Sequence, residues 1–203
     1  MYGYSSPQIG DLGLAVSISE ASVIKDIKGV MPFLAPELLS GRGSYSQKTD
    51  VYAFGIIMWE ISSRQPPFHN IAHDTQLALR ILKGLRPEIT NDTPLCYRDL
   101  LQQCWHSDPT QRPTAAKIHE TINSWYTNGQ FKNEIKNQLK KAEDVRQQNI
   151  DIKKETKSHP GAIYTSRFLT NITNGKNRHY RIFYIKLIFS INLFFLSSRI
   201  SFD

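Results

Sequence analysis

The 203-residue sequence predicts a mainly α fold. Three observations carry this reading. The run from Val51 to Ile61 is apolar on nearly every face, three later segments repeat apolar residues at helical spacing, and one long proline-bounded irregular stretch precedes them.

Residues 8–16, Gln-Ile-Gly-Asp-Leu-Gly-Leu-Ala-Val, read as a short strand broken by a turn at Gly13, followed by a polar loop. Pro32 and Pro36 exclude a regular helix before Glu37-Leu38-Leu39, so residues 17–36 form irregular backbone of roughly twenty residues, a length usually kept for function. Thr49-Asp50 then offers an N-cap. Tyr52, Phe54, Ile56, Ile57, Met58, Trp59 and Ile61 cover every side of the helix that follows, which is therefore expected to be buried all round. Pro66-Pro67 ends it. Residues 74–83 read as an amphipathic helix through Leu77, Ile81 and Leu82. A loop with Pro87 and Pro94 leads to a helix at about 97–106, carrying Leu100, Leu101, Cys104 and Trp105. Thr114 to Trp125 forms another, with Ala115, Ile118, Ile122 and Trp125 at helical spacing.

Past Asn128 the pattern weakens. Phe131, Ile135, Leu139, Ala142 and Val145 recur at intervals of four, four, three and three, which predicts a long polar helix to about residue 152, broken by Ser158-His159-Pro160-Gly161. Residues 182–200 turn apolar again. The chain thus divides into a helical unit at 1–126, a basic amphipathic helix and linker at 127–181, and an apolar tail at 182–203.

The composition, 40% hydrophobic and 21% charged, is that of a soluble globular protein, and the length suits one domain with a long extension. Its formal charge of +7 is uneven: residues 127–181 hold 12 Lys+Arg against 5 Asp+Glu, whereas residues 1–126 hold 11 against 12. Such a basic stretch reads first as a solvated face or flexible tail. Nucleic acid is disfavoured as a partner, because the charge has no aromatic platform or reading motif beside it. Cys96 and Cys104 fit no zinc spacing and are expected to be reduced and structural, in a cytosolic setting. No secretory signal is visible, so a cytoplasmic location is expected. The stretch 182–200 contains Lys186, Ser190 and Asn192 and is at the short end for a bilayer span. It admits three readings: a membrane anchor, an added helix, or a tail read from non-coding sequence.

Four blocks stand in fixed order: Asp11-Leu12-Gly13, Ala35-Pro36-Glu37, Asp50-Val51-Tyr52-Ala53-Phe54-Gly55, and Cys104-Trp105 leading to Asp108-Pro109 and Arg112-Pro113. In this order they resemble the latter half of a protein kinase domain, from the metal-binding aspartate onward, and the resemblance covers about residues 8–126. It implies a partial large lobe of the Ser/Thr or tyrosine-kinase-like branch, with ATP and Mg2+ as cofactors and a protein as substrate. Asp11 takes the place of the magnesium-holding aspartate, Leu12 that of the usual phenylalanine, and Gly13 the turn that aims the carboxylate. Asp11-Leu12-Gly13 and Ala35-Pro36-Glu37 would bound the activation segment. Within it Ser17, Ser19 and Ser22 lie where activating phosphates attach in related proteins, with Lys25 and Lys28 able to pair with such a phosphate.

The same resemblance implies a buried ion pair between Glu37 and Arg112 that fastens the end of that segment to the helical core. Asp50 would either reach back to the backbone of the catalytic loop or cap its own helix; the two readings carry equal weight. Trp105 is expected to be a core residue. Val30 follows Gly29 where Ser/Thr-specific relatives usually have threonine, so that hydroxyl is missing.

Phosphoryl transfer is mostly positioning and electrostatics. The chain has no Gly-x-Gly-x-x-Gly loop, no Val-Ala-Ile-Lys-like strand and no His-Arg-Asp before Asp11. No catalytic-loop aspartate is present, so the chain alone is expected to be inactive. It reads as a truncated product in which the helix at 51–61 leaves an apolar face open. The competing expectation is a non-catalytic scaffold that binds a partner kinase or other protein.

Overall fold

The computed structural model describes residues 27–127, 129–148 and 157–169. In order these form strand β1 (Lys28–Gly29), a 3-10 turn (Met31–Phe33), and helices α1 (Pro36–Leu39), α2 (Gln47–Ser63), α3 (Thr75–Leu82) and α4 (Leu95–Cys104). A second 3-10 turn (Pro109–Gln111), helices α5 (Ala115–Thr127) and α6 (Gly129–Gln148), and strand β2 (Arg167–Phe168) complete them. The fold is mainly α.

Helix α2 is the axis of the molecule. Its cap stands three residues before Thr49, because Ser46 rather than Thr49-Asp50 closes its N-terminus. The Ser46 hydroxyl accepts from the Thr49 amide, and the Thr49 hydroxyl accepts from the Ser46 amide at 3.0 Å. This reciprocal box satisfies two amide groups that a helix start leaves unbonded. At the other end Arg64 turns left-handed at φ 57° and its amide bonds back to the Glu60 carbonyl at 2.9 Å, which stops the helix ahead of Pro66-Pro67.

Burial of α2 is less complete than the sequence predicts. Val51, Tyr52, Ile56, Met58 and Trp59 are buried, whereas Ala53, Phe54, Ile57, Glu60 and Ile61 are half-buried, and Asp50 and Arg64 are exposed. Positions 50, 53, 54, 57, 60, 61 and 64 lie on one face by helical spacing. The other faces pack on α4 and the two 3-10 turns, around a core of Tyr52, Ile56, Met58, Trp59, Tyr97, Leu101 and Cys104 that also takes in Ile118 and Trp125 of α5.

A second apolar cluster joins Met31, Leu34, Leu38 and Leu39 to Phe68 and to Leu77, Ala78 and Ile81 of α3, and takes in Leu169. Helix α3 is capped by Asp74, whose carboxylate accepts from the Gln76 and Leu77 amides.

The basic extension is not simply a solvated tail. Ile135 of α6 enters the main core with Leu139 packed against it, Ala142 is buried, Gln138 accepts from the Cys96 amide at 3.0 Å, and Arg146 pairs with Asp92 at 2.9 Å, both side chains 8% exposed. Residues 157–169 cross back over the loop after α2 and end in β2, antiparallel to β1 with Lys28 opposite Phe168 and Gly29 opposite Arg167. The expected break at Ser158-His159-Pro160-Gly161 is a turn at Pro160 and Gly161. Among the described residues no helix is long and apolar enough to cross a membrane. The stretch 182–200 lies outside them.

Candidate functional site

Glu37 sits in the first turn of α1, a one-turn helix whose start is set by Pro36 at its first position, where no amide is needed. Its carboxylate faces Arg112, which is delivered by the second 3-10 turn. Asp108 caps that turn by accepting from the Thr110 amide at 2.9 Å and hydroxyl at 2.8 Å, and these bonds hold the Asp108 carboxyl below the usual carboxylate range. Pro109 pre-sets the first turn position.

Arg112 and Glu37 meet in a two-pronged pair, with one guanidinium nitrogen at 2.7 Å from Oε1 and the other at 2.8 Å from Oε2. The Arg112 side chain is fully buried and that of Glu37 is 19% exposed. The rest of the guanidinium is also used: Nε donates to the His106 carbonyl at 2.8 Å, and one terminal nitrogen donates to the Lys48 carbonyl at 2.8 Å. Lys48 returns the contact by donating from Nζ to the Arg112 carbonyl. Charge-assisted, forked bonds of this kind are the strong class, and here they tie α1, the start of α2 and the turn before α5 together.

Tyr52 lies beneath this pair. Its ring is flanked by the guanidinium of Arg112 at 5.2 Å and that of Arg86 at 5.0 Å, both within cation–π range. Burial pushes its hydroxyl up to about 12, and that hydroxyl has no hydrogen-bond partner among the described residues. Arg86 donates to the carbonyls of Trp105, Ile81 and Leu85 and to the Ser107 hydroxyl. Arg86 and Arg112 therefore take carbonyls just past the C-terminus of α4, Trp105 for Arg86 and His106 for Arg112, at the helix end that favours cations.

Trp105 is buried, with its amide bonded to the Leu101 carbonyl at 3.1 Å. Ala35 is fully buried and Pro36 buried, both beside Glu37. Asp50 is exposed in the first turn of α2; neighbouring protein desolvates its carboxyl and pushes it up, and the cap is Ser46. The structure thus brings Ala35, Pro36, Glu37, Arg112 and Trp105 into one region and leaves Asp50 on the open face of α2. Val30 precedes the 3-10 turn and caps it with its carbonyl alone. Asp11, Leu12, Gly13, Ser17, Ser19 and Ser22 lie outside the described residues. Lys28 has its Nζ over the Phe168 ring at 5.4 Å.

Sequence reasoning missed Arg86, Lys48 and His73. None sits in a motif, and Arg86 lies in a proline loop with no periodicity. Among the described residues no three His, Cys, Asp or Glu side chains cluster as metal ligands. A cavity of about 700 Å3 opens between the end of α2 and the loop before α4, lined by residues such as Trp59, Arg64, Phe68, Arg80, Arg86 and Asp92, and neither Glu37 nor Arg112 lines it.

Residues 5–122 match the family model described as protein tyrosine and serine/threonine kinase. A probable serine/threonine-protein kinase of Dictyostelium discoideum is 43% identical over 95 residues, 47% of this chain and 6% of the relative. Another from the same organism is 39% identical over 117 residues, 57% of this chain and 13% of the relative. The chain spans a small part of the length of these curated relatives. A solved chain described as the cryo-EM structure of the AtMLKL3 tetramer aligns over 44% of this chain and 17% of its own, with 33% identity and a TM-score of 0.42.

Proposed function

The chain belongs to the protein tyrosine and serine/threonine kinase family, and on that premise we propose that it supplies the helical half of a domain that transfers the ATP γ-phosphate to protein Ser/Thr hydroxyls, without performing the transfer by itself. The observation that carries this reading is the Glu37–Arg112 pair, which ties the Ala35-Pro36-Glu37 segment to the helical core. Such a pair does no chemistry. It fixes the loop from Lys28 to Leu34 relative to α2, and positioning is most of what phosphoryl transfer requires of a protein. ATP and Mg2+ would supply the phosphoryl group and the charge neutralisation. Asp11 is this chain's candidate for holding the metal, and no described residue is assigned to it.

A phosphotransfer assay on the chain with Mg-ATP and a generic protein substrate, paired with a nucleotide titration, tests the proposal. The expected result is no turnover and no magnesium-dependent affinity for the chain alone; turnover by residues 1–203 would overturn it. A second reading, a non-catalytic scaffold, is favoured by Val30. That side chain brings no hydroxyl to the position after Gly29, and a carbonyl alone caps the turn that follows. Restoring the hydroxyl with Val30→Thr in a full-length catalytic context would raise activity under the first reading and leave it at zero under the second. Protein partners are those of either reading, and a cytoplasmic location, with membrane association through 182–200 as its alternative, completes the proposal.

A further inference from the structure

The cavity between the end of α2 and the loop before α4 holds about 700 Å3, room for a ligand of drug size. Much of its wall is apolar: Trp59, Phe68, Ile71, Leu85 and Ile89 line it, and Trp59 and Phe68 are buried. The Trp59 indole nitrogen already donates to the Glu88 carbonyl at 2.7 Å, so the ring has no polar atom left to satisfy. Four arginines, Arg64, Arg80, Arg86 and Arg146, also line the cavity, against two carboxylates, Glu88 and Asp92.

Two of those arginines are committed elsewhere. Arg86 donates to the Trp105, Ile81 and Leu85 carbonyls and the Ser107 hydroxyl, and Arg146 is paired with Asp92 and Glu143. Arg64 and Arg80 are exposed, and neither guanidinium has a hydrogen bond or ion pair among the described residues. Asp92 is neutralised by its partner, so these two guanidinia face only the Glu88 carboxylate. The backbone marks the same place. Among the described residues two that are not glycine are left-handed, Arg64 at φ 57° and Phe68 at φ 58°, and both line this cavity. Glycine takes that conformation without steric cost, whereas a side chain there is strained, and such strain gathers at ligand sites. The cap of α2 uses only the Arg64 main chain, whose amide bonds to the Glu60 carbonyl, so the helix end itself does not call for an arginine.

We propose that this cavity binds a small amphiphile, an apolar body with a single oxyanion head, and that Arg64 and Arg80 hold the head while Trp59, Phe68 and Ile71 enclose the body. Apolar walls with a few placed polar groups are the usual form of a small-molecule site. A guanidinium forks onto two oxygens of such a head, a charge-assisted bond of the strong class. A bare inorganic anion would leave the apolar walls in water, and a cationic amphiphile would set its head against both guanidinia. The site is separate from the Glu37–Arg112 clamp, neither residue of which lines it.

The probe is anilinonaphthalene sulfonate, an aromatic body with an anionic head, titrated into the whole chain and read by its fluorescence. Decanoate below its micellar concentration is expected to displace the dye. Decyltrimethylammonium, with the opposite head, and inorganic phosphate, with no body, are expected not to. Hydrogen bonds to charged groups are the stronger kind, so Arg64→Gly combined with Arg80→Gln should weaken dye binding at least about tenfold. Arg64→Gly alone should weaken it by a smaller factor and raise the denaturant midpoint, since glycine relieves the left-handed cap. That rise also separates lost binding from lost fold. Absent dye binding, unchanged affinity in the double variant, displacement by decyltrimethylammonium or phosphate as effective as by decanoate, or a midpoint that does not rise overturns the proposal. The readout needs no nucleotide, so it stands apart from the phosphotransfer assay.

Discussion

Gly55 of α2 lies directly against Cys104 at the end of α4: a Cβ on Gly55 would stand 2.9 Å from Cys104 Cβ and 3.0 Å from the Trp105 nitrogen. Glycine is tolerated mid-helix here because it lets the two helices touch. Exchanging it for alanine would by propensity alone stabilise α2 by about 1 kcal/mol, while overpacking costs about 1–3 kcal/mol. Backbone and helix neighbours cannot yield as a flexible side-chain tip can, so the second effect wins. Gly55→Ala is expected to lower the denaturant midpoint at constant m-value. A raised midpoint would mean that α2 and α4 do not pack at this point.

Cys104 is buried and its thiol is pushed up to about 12 by desolvation, while the half-buried Cys96 is pushed up to about 11, mainly by the same cause. The thiolate is the reactive form. Both cysteines should therefore react with a disulfide reagent at pH 8 far more slowly than a free thiol, Cys104 the slower of the two, and both should speed up in denaturant. Rapid labelling of Cys104 in the native chain would contradict the core described above.

His73 is 3% exposed, with its ring edge-on to Tyr164 at 4.8 Å, Nδ1 at the Ile163 main chain and Nε2 at the Phe68 carbonyl. Burial lowers its pKa, the Arg167 charge adds to that, and the two backbone contacts and Asp74 oppose it. With the folded value below the unfolded one, the unfolded chain takes up a proton first as pH falls. The contribution of His73 is thus whole above the unfolded pKa of about 6.5 and declines as pH drops through the lowered folded value. Thermal melts from pH 7.5 to 5 should show a loss that His73→Gln abolishes. An unchanged pH slope in that variant would remove His73 as the cause.

Arg146 and Asp92 join α6 to the loop before α4 with both side chains nearly excluded from water. Removing only the arginine leaves a buried carboxylate, at a typical cost of about 3–5 kcal/mol, whereas replacing both by apolar residues is often neutral or better. Arg146→Met should then expose residues 129–148 to proteolysis, and Arg146→Met with Asp92→Leu should restore protection. Equal nicking of the two variants would place α6 free of the domain.

Much of this architecture was legible where residue pattern and partner coincide. The apolar run at 51–61 announces α2 in its residue types, and the Glu37–Arg112 pair follows from the family resemblance that Ala35-Pro36-Glu37 and Arg112-Pro113 carry. The cap was misplaced because Ser46, Thr49 and Asp50 are all good caps, and only the backbone geometry shows that Ser46 closes the helix. Burial of α2 on every side was over-read, since composition records what a face prefers and not what stands against it. Arg146 was readable in principle, lying on the stripe of Leu139 and Ala142 where a solvated helix would not place it. The course of residues 157–169 was not readable, because main-chain bonds to Ile27, His69 and His73 and side-chain bonds to Pro67 and His73 hold it, and neither kind follows a period in the sequence.

The measurement that bears most directly on the whole account is a double-mutant cycle on Glu37→Gln and Arg112→Met, read by chemical denaturation. With the guanidinium buried, forked onto both carboxylate oxygens and bonded to the Lys48 and His106 carbonyls, each single change should destabilise by about 3–5 kcal/mol and the pair should couple by more than about 1.5 kcal/mol. Additivity within about 0.5 kcal/mol, the behaviour of two independent sites, would contradict it.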